Sequence, residues 1–152
     1  RSIVAAAGLL LCSVQYVKTT PVKHFLITDA GMNDLIRPAL YAAWMPVLPI
    51  RQSDCPEVLF DVVGPVCESS DWLARDRVLL AQTGELLAVT MAGAYGMSMA
   101  SRYNSRRLPA EVLVSGNTSQ LIRRRDSLED LDKRNCPGRY LIRPKSFNLL
   151  RN

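Results

Sequence analysis

Val58-Leu59-Phe60-Asp61-Val62-Val63, followed at once by Gly64-Pro65-Val66-Cys67-Glu68-Ser69-Ser70-Asp71, is the stretch from which the fold is read. The apolar run reads as a buried strand of mixed face, and Gly64-Pro65 breaks the ladder and turns the chain. Just past the turn, a thiol and a carboxylate stand side by side at the lip of the strand. Loops carried on a rigid sheet hold functional groups in place. A thiol there can deliver a proton, and a neighbouring carboxylate can bind a cationic group. The plain alternative is packing, because cysteine is among the most often buried residues and a glutamate after a turn is usually only solvated.

Working outward, Leu10, Cys12, Val14 and Tyr16 alternate, so residues 9–17 are predicted as a strand with one buried face. The same start has the look of a signal peptide, with Arg1 ahead of an apolar stretch that ends Leu9-Leu10-Leu11-Cys12. Leu11 is not the small residue that a lipoprotein box wants before its cysteine, and the run is too short to span a membrane. Residues 25–28 give a second strand with His24 at its edge. Asn33 is expected to cap a helix running to about Tyr41, with Pro38 kinking or breaking it. On that helix Arg37 and Tyr41 are four apart and share a face, where they could grip a carboxylate or simply pack on one another.

Residues 45–57, with Pro46, Pro49 and Pro56, read as a loop, and residues 71–77 as a polar connection with a helical turn. Residues 84–89 are a strand. Ala92-Gly93-Ala94-Tyr95-Gly96 sets one aromatic among small residues, which lets backbone approach a ligand closely or simply ends a strand. Ser115-Gly116-Asn117-Thr118 is a hairpin turn, and Asp126 or Ser127 caps a last helix. Many short strands at this spacing predict a mainly β protein, a barrel or a sandwich.

The 152 residues suffice for one domain with a core, and 48% hydrophobic with 22% charged residues describe a globular chain. The formal charge of +5 invites a nucleic-acid reading until it is located. Residues 1–120 hold ten Lys/Arg against ten Asp/Glu, whereas residues 121–152 hold nine against four. The excess lies in the tail, with no zinc-finger or RNA-binding signature, so no nucleic-acid partner is expected. Cys12, Cys55, Cys67 and Cys136 form no C-x-x-C pair and His24 is the only histidine, which argues against a metal site. Reduced thiols in a cytoplasm fit better than a disulfide scaffold. A Ser-His-Asp triad would have to use His24, and no G-x-S-x-G elbow is present.

Four of these stretches together resemble the C-terminal part of the diaminopimelate decarboxylase family, pyridoxal-phosphate enzymes of the alanine-racemase-like and ornithine-decarboxylase group. They are residues 1–8, Asp29-Ala30-Gly31-Met32-Asn33-Asp34-Leu35-Ile36-Arg37-Pro38-Ala39-Leu40-Tyr41, residues 64–71, and residues 92–104 with Ala110-Glu111-Val112. The resemblance covers residues 1–131, in the family's order. It implies a C-terminal β-barrel or sandwich over 9–131, preceded by a remnant of the barrel connection at 1–8 and followed by an unrelated basic tail at 132–152.

By the same resemblance, Arg1 looks like the end of a substrate-binding Glu-Pro-Gly-Arg motif. Arg37 and Tyr41 match the grip on the substrate carboxylate. Cys67 matches the proton donor, Glu68 the reader of the substrate's distal amino end, and Tyr95 a tyrosine touching both cofactor and substrate. Cys67 and Glu68 would reach into the partner's site, so a homodimer is implied. The implied reaction takes diaminopimelate to L-lysine and CO₂ with pyridoxal 5'-phosphate as cofactor, in the cytoplasm and away from any membrane.

Departures accompany the likeness. Lys18, Lys23, Lys133 and Lys145 sit in no motif like the family's Schiff-base lysine, which belongs with an N-terminal (β/α)₈ barrel that this chain does not contain. The chain is therefore expected to be inactive alone. Met45 stands where the family pattern has His after the Ala-Trp pair. Two other readings stay open: a non-catalytic β-domain that pairs with a partner chain, and a related ornithine or arginine decarboxylase. Glu68 beside Cys67 argues for diaminopimelate.

Overall fold

The computed structural model describes residues 1–51 and 54–132. The tail from residue 133, including Lys133, Cys136 and Lys145, lies outside the described residues. Two compact units divide the chain, Arg1–Leu108 and Pro109–Asn152.

The first unit is built on one six-stranded sheet. Its strands are β1 (Leu10–Thr19), β2 (His24–Thr28), β3 (Val47–Pro49), β4 (Val58–Val63), β5 (Trp72–Leu79) and β6 (Leu86–Val89), in the order β3-β6-β1-β2-β4-β5. All neighbours run antiparallel except β2 and β4, which are parallel. The edge strands β3 and β5 also touch, and the Arg77 guanidinium of β5 lies 4.6 Å from the Trp44 ring just ahead of β3. The sheet therefore comes close to closing on itself, as a mainly β barrel fold predicts.

The core inside is Cys12, Val14, Leu26, Leu35, Met45, Phe60, Val62, Leu73, Leu87 and Val89, all buried. Met45, the departure from the family's His, is one of the most deeply buried of these side chains and simply fills apolar space. Cys12 is a core residue as well. Burial, with Asp29 next in weight, pushes its thiol pKa up to about 12, so it is inert.

Alternation in β1 holds through Cys12 and Val14 and then fails, for Tyr16 is exposed. A bulge between Val14 and Tyr16 inserts one unpaired residue, which reverses the phase and turns Val17 inward instead. Four further expectations need correction. The helix α1 covers only Arg37–Tyr41, with Ile36 rather than Asn33 at its N-cap. Pro38 sits in its first turn, where a missing N–H costs nothing, so it starts the helix instead of breaking it. Residues 45–57 contain the short strand β3, and residues 71–77 belong largely to strand β5.

The second unit has the hairpin β7 (Glu111–Ser115) and β8 (Thr118–Arg123), turning at Gly116-Asn117, with Gly116 at φ 54°. A short helix, α2 (Leu128–Asp132), follows. Asp130 N–H donates to Ser127 Oγ and Ser127 N–H donates to Asp130 Oδ2, a reciprocal capping box that selects Ser127 as the cap.

Candidate functional site

Cys67 and Glu68 are both exposed on the loop that joins β4 to β5. Exposure removes the packing reading of Cys67, since nothing there treats it as a small buried hydrophobe. What fixes the loop is Asp71, whose side chain is buried. Its Oδ2 accepts the Val66 N–H at 2.6 Å and its Oδ1 accepts the Met32 N–H at 2.6 Å. Backbone bonds close the loop, with Gly64 N–H to the Asp71 carbonyl at 3.0 Å and Asp71 N–H to the Glu68 carbonyl at 3.0 Å. Glycine is required on both sides of this carboxylate. A Cβ at Gly64 would lie 2.4 Å from Asp71 Oδ2, and one at Gly31 would lie 2.6 Å from Asp71 Oδ1. The loop is thus stapled to the turn that begins the Gly31–Tyr41 stretch.

Glu68 borders an open cleft of about 420 Å³, with Lys23, Asp61, Trp72 and Arg75 along its wall. The Arg75 guanidinium stacks 4.2 Å over the Trp72 ring. Lys23 Nζ bridges Asp61 at 2.7 Å and Asp76 at 3.5 Å. Burial alone would raise the Asp61 pKa, but the Lys23 ammonium and the Asp76 N–H outweigh it and hold the carboxyl below its ordinary value. Glu68 Oε2 accepts from the Tyr103 hydroxyl at 3.5 Å.

A second cluster gathers at the other family-like stretches. Gly93 N–H donates to the Ala5 carbonyl at 3.1 Å and Ala92 N–H to the Gly8 carbonyl at 2.9 Å. The backbones meet so closely that a Cβ on Gly93 would stand 2.1 Å from the Val4 carbonyl oxygen. The segment starting at Arg1, itself exposed, is held by this contact against the loop that bears Tyr95. Met91 and Tyr95 both adopt left-handed backbone, at φ 62° and 59°. Strain of this kind on bulky residues collects at functional sites. Arg37 is buried and donates from Nη1 to the Met91 carbonyl at 3.2 Å, which steadies that loop. A guanidinium carries five N–H groups, so this bond leaves others to take an anion. Tyr41, on the same short helix, is exposed, so the two side chains do not share one environment.

The structure therefore brings Arg37 and the Tyr95 loop together, and sets Cys67 and Glu68 on a separate loop anchored by Gly31, Met32 and Asp71. Sequence reasoning missed the supporting residues. Asp71 has a sequence signal of its own, because an Asp closing a Gly-Pro loop is a ready acceptor for turn N–H groups. Tyr103 and Arg106 carried no signal at all. Among the described residues no three His, Cys, Asp or Glu side chains gather as a metal cluster, and no helix is long and apolar enough to cross a membrane.

A family model described as "Pyridoxal-dependent decarboxylase, C-terminal sheet domain" matches residues 3–93, and the chain belongs to that family. Among individual relatives, a diaminopimelate decarboxylase of Pseudomonas aeruginosa is 54% identical over 131 residues, which is 86% of this chain and 32% of the relative. One from Vibrio cholerae is 51% identical over 131 residues, 86% of this chain and 31% of the relative. The solved Helicobacter pylori diaminopimelate decarboxylase complexed with L-lysine superposes with a TM-score of 0.81 at 45% identity, over 87% of this chain and 32% of that one. The chain thus spans about a third of the length of the curated relatives it matches.

Proposed function

We propose that this chain works as the C-terminal sheet domain of a diaminopimelate decarboxylase, contributing to the conversion of meso-2,6-diaminopimelate into L-lysine and CO₂. The observation that carries the reading is the exposed Cys67–Glu68 pair on a loop whose anchor, Asp71, is buried. Residues 9–131 form the β domain of that enzyme in this reading, and residues 1–8 its connection.

Tyr95 fits a flat aromatic cofactor, because its left-handed backbone pushes a half-exposed ring and hydroxyl out of a glycine-flanked loop. Pyridoxal phosphate, when bound, supplies the sink for the electrons left by departing CO₂. The residues of this chain do the rest of the handling. Arg37 and Tyr41 orient the substrate carboxylate, Arg1 binds substrate near the cofactor, and Glu68 pairs with the distal ammonium. Cys67 delivers its proton to the carbon that has lost CO₂: the S–H bond breaks, a C–H bond forms, and the thiolate is reprotonated from water. Because the Cys67 loop and the Tyr95 loop are anchored by different segments, a site completed across a homodimer is well served. One copy would supply Cys67 and Glu68 to its partner. A cytoplasmic enzyme is consistent with exposed Cys67 acting as a thiol.

The test uses a fusion in which this chain replaces the matching third of the Pseudomonas aeruginosa relative. Cys67→Ala should leave cofactor and substrate binding intact and lower kcat by about 10²–10⁴-fold, the usual contribution of general acid catalysis. Cys67→Ser should also be poor, because a hydroxyl is a far weaker acid than a thiol. Turnover of Cys67→Ala within about threefold of the parent would remove Cys67 from the chemistry.

A further inference from the structure

We infer that Tyr103 is a positioning residue for Glu68 and thereby tunes recognition of the substrate's distal ammonium, an inference that rests on the reading of Glu68 above. Its hydroxyl donates to Glu68 Oε2 at 3.5 Å. That contact would mean little if the two side chains floated, but both are carried by the same platform. The Glu68 loop is bound to the Gly31–Asn33 turn through Asp71 and Met32 N–H. The Tyr103 turn is bound to it through Ser101 N–H, which donates to the Asn33 carbonyl at 2.8 Å, and through Arg106. Arg106 Nε donates to Asn33 Oδ1 at 3.0 Å and its Nη2 to the Asp29 carbonyl at 2.5 Å. Asn33 is itself buried, so the platform is part of the core's margin and not a mobile surface.

The ring of Tyr103 borders a small apolar cleft of about 190 Å³ with Met32, Ile36 and Ser101. One side of the half-exposed ring thus forms a wall of that cleft, and its hydroxyl faces Glu68. The chemistry follows from the donor count. A carboxylate offers about four acceptor positions, so one phenol hydrogen bond fixes the rotamer and leaves the others for an ammonium ion. An exposed glutamate on a loop otherwise loses rotamer freedom when it binds, and fixing it beforehand lowers that cost. The ligand this arrangement favours is a diamino acid with a cationic far end.

The test is a double-mutant cycle in the fusion enzyme. Tyr103→Phe keeps the ring in its cleft and should leave the thermal midpoint at that of the parent. It should raise KM for diaminopimelate about fivefold, in the range of the net contribution of one ordinary hydrogen bond, with kcat unchanged. Glu68→Ala removes the acceptor and should raise KM further, and adding Tyr103→Phe to it should do nothing more. If Glu68→Ala raises KM while Tyr103→Phe alone does not, the positioning role is wrong and the reading of Glu68 stands. If the Tyr103→Phe effect persists on the Glu68→Ala background, Tyr103 acts through something else and the inference falls. If Glu68→Ala leaves KM unchanged, the reading of Glu68 fails and this inference with it.

Discussion

Replacing Asp71 tests whether the Cys67 loop is held by one buried carboxylate. Its two oxygens accept the Met32 and Val66 N–H groups, each at 2.6 Å, and the side chain is only 5% exposed. Hydrogen bonds to a charged group contribute about 1.5–3 kcal/mol each. Asp71→Ala loses both and leaves two N–H donors without an acceptor, so a loss of about 3–5 kcal/mol is expected, a large share of a typical domain's stability. Asp71→Asn keeps one acceptor oxygen but turns an NH₂ toward the other N–H, and should cost about half as much. Asp71→Glu should not rescue, since Gly31 and Gly64 already press on the carboxylate and leave no room for a methylene. Urea unfolding of the 152-residue chain, followed by the fluorescence of Trp72 next to the mutated position, gives the three values at constant m. An Ala variant within about 1 kcal/mol of the parent, or an Asn variant as damaged as Ala, would refute the staple.

Two further outcomes follow from the same structure. Gly93→Ala would force a Cβ to 2.1 Å from the Val4 carbonyl oxygen, so it should destabilise by about 2 kcal/mol or more; Gly84→Ala, with φ 89° but open space around it, should cost only about 1 kcal/mol. Equal midpoint shifts in urea for the two would deny the close approach at Gly93. Asp61 is held below its ordinary pKa, so its contribution is present above the unfolded value of about 4 and is lost as pH falls through the folded value. Asp61→Asn should therefore flatten the acid limb of stability below about pH 5, where the carboxyl begins to protonate in the unfolded chain, and an unchanged limb in urea titrations would contradict the assignment.

The legible parts of the fold are those where local chemistry and tertiary environment agree. β4 reads as a strand because its apolar run is bounded by Gly64-Pro65, and β7–β8 reads as a hairpin because Gly116-Asn117 suits a turn with positive φ. β5 was hidden by composition. It carries Arg75, Asp76 and Arg77 in succession, with Asp76 at φ 51° beside a register shift against β4, so neither alternation nor apolarity survives in the sequence. β3 is three residues long and flanked by Pro46, too short for any periodic signal. In the site, Cys67 and Glu68 were readable because reactive groups side by side after a turn are conspicuous. Asp71 was readable only as the local acceptor for the Val66 N–H, and Arg37 not at all in its supporting role, since their other partners are backbone groups at Met32 and Met91, far away in sequence.

That contrast explains how a loop can be exposed and still precise. Groups that meet a substrate must face outward, and an outward group cannot be held by its own burial. Here the holding falls to charged side chains turned inward onto backbone: Asp71 beneath Cys67 and Glu68, and Arg37 beneath the Met91–Tyr95 loop. Asp71 sits against Gly31 and Gly64, whose missing Cβ atoms let two backbones close, and the loop that Arg37 bonds through the Met91 carbonyl continues into Gly93, which meets Gly8 in the same way. The two kinds of residue should therefore separate under mutation. Changes at Cys67 or Glu68 remove exposed atoms and should leave unfolding untouched while altering chemistry, whereas changes at Asp71 should lower stability and disturb the chemistry together. Arg37 bonds the Met91 carbonyl and, in the proposed reading, also meets the substrate carboxylate, so its removal should register in both measurements.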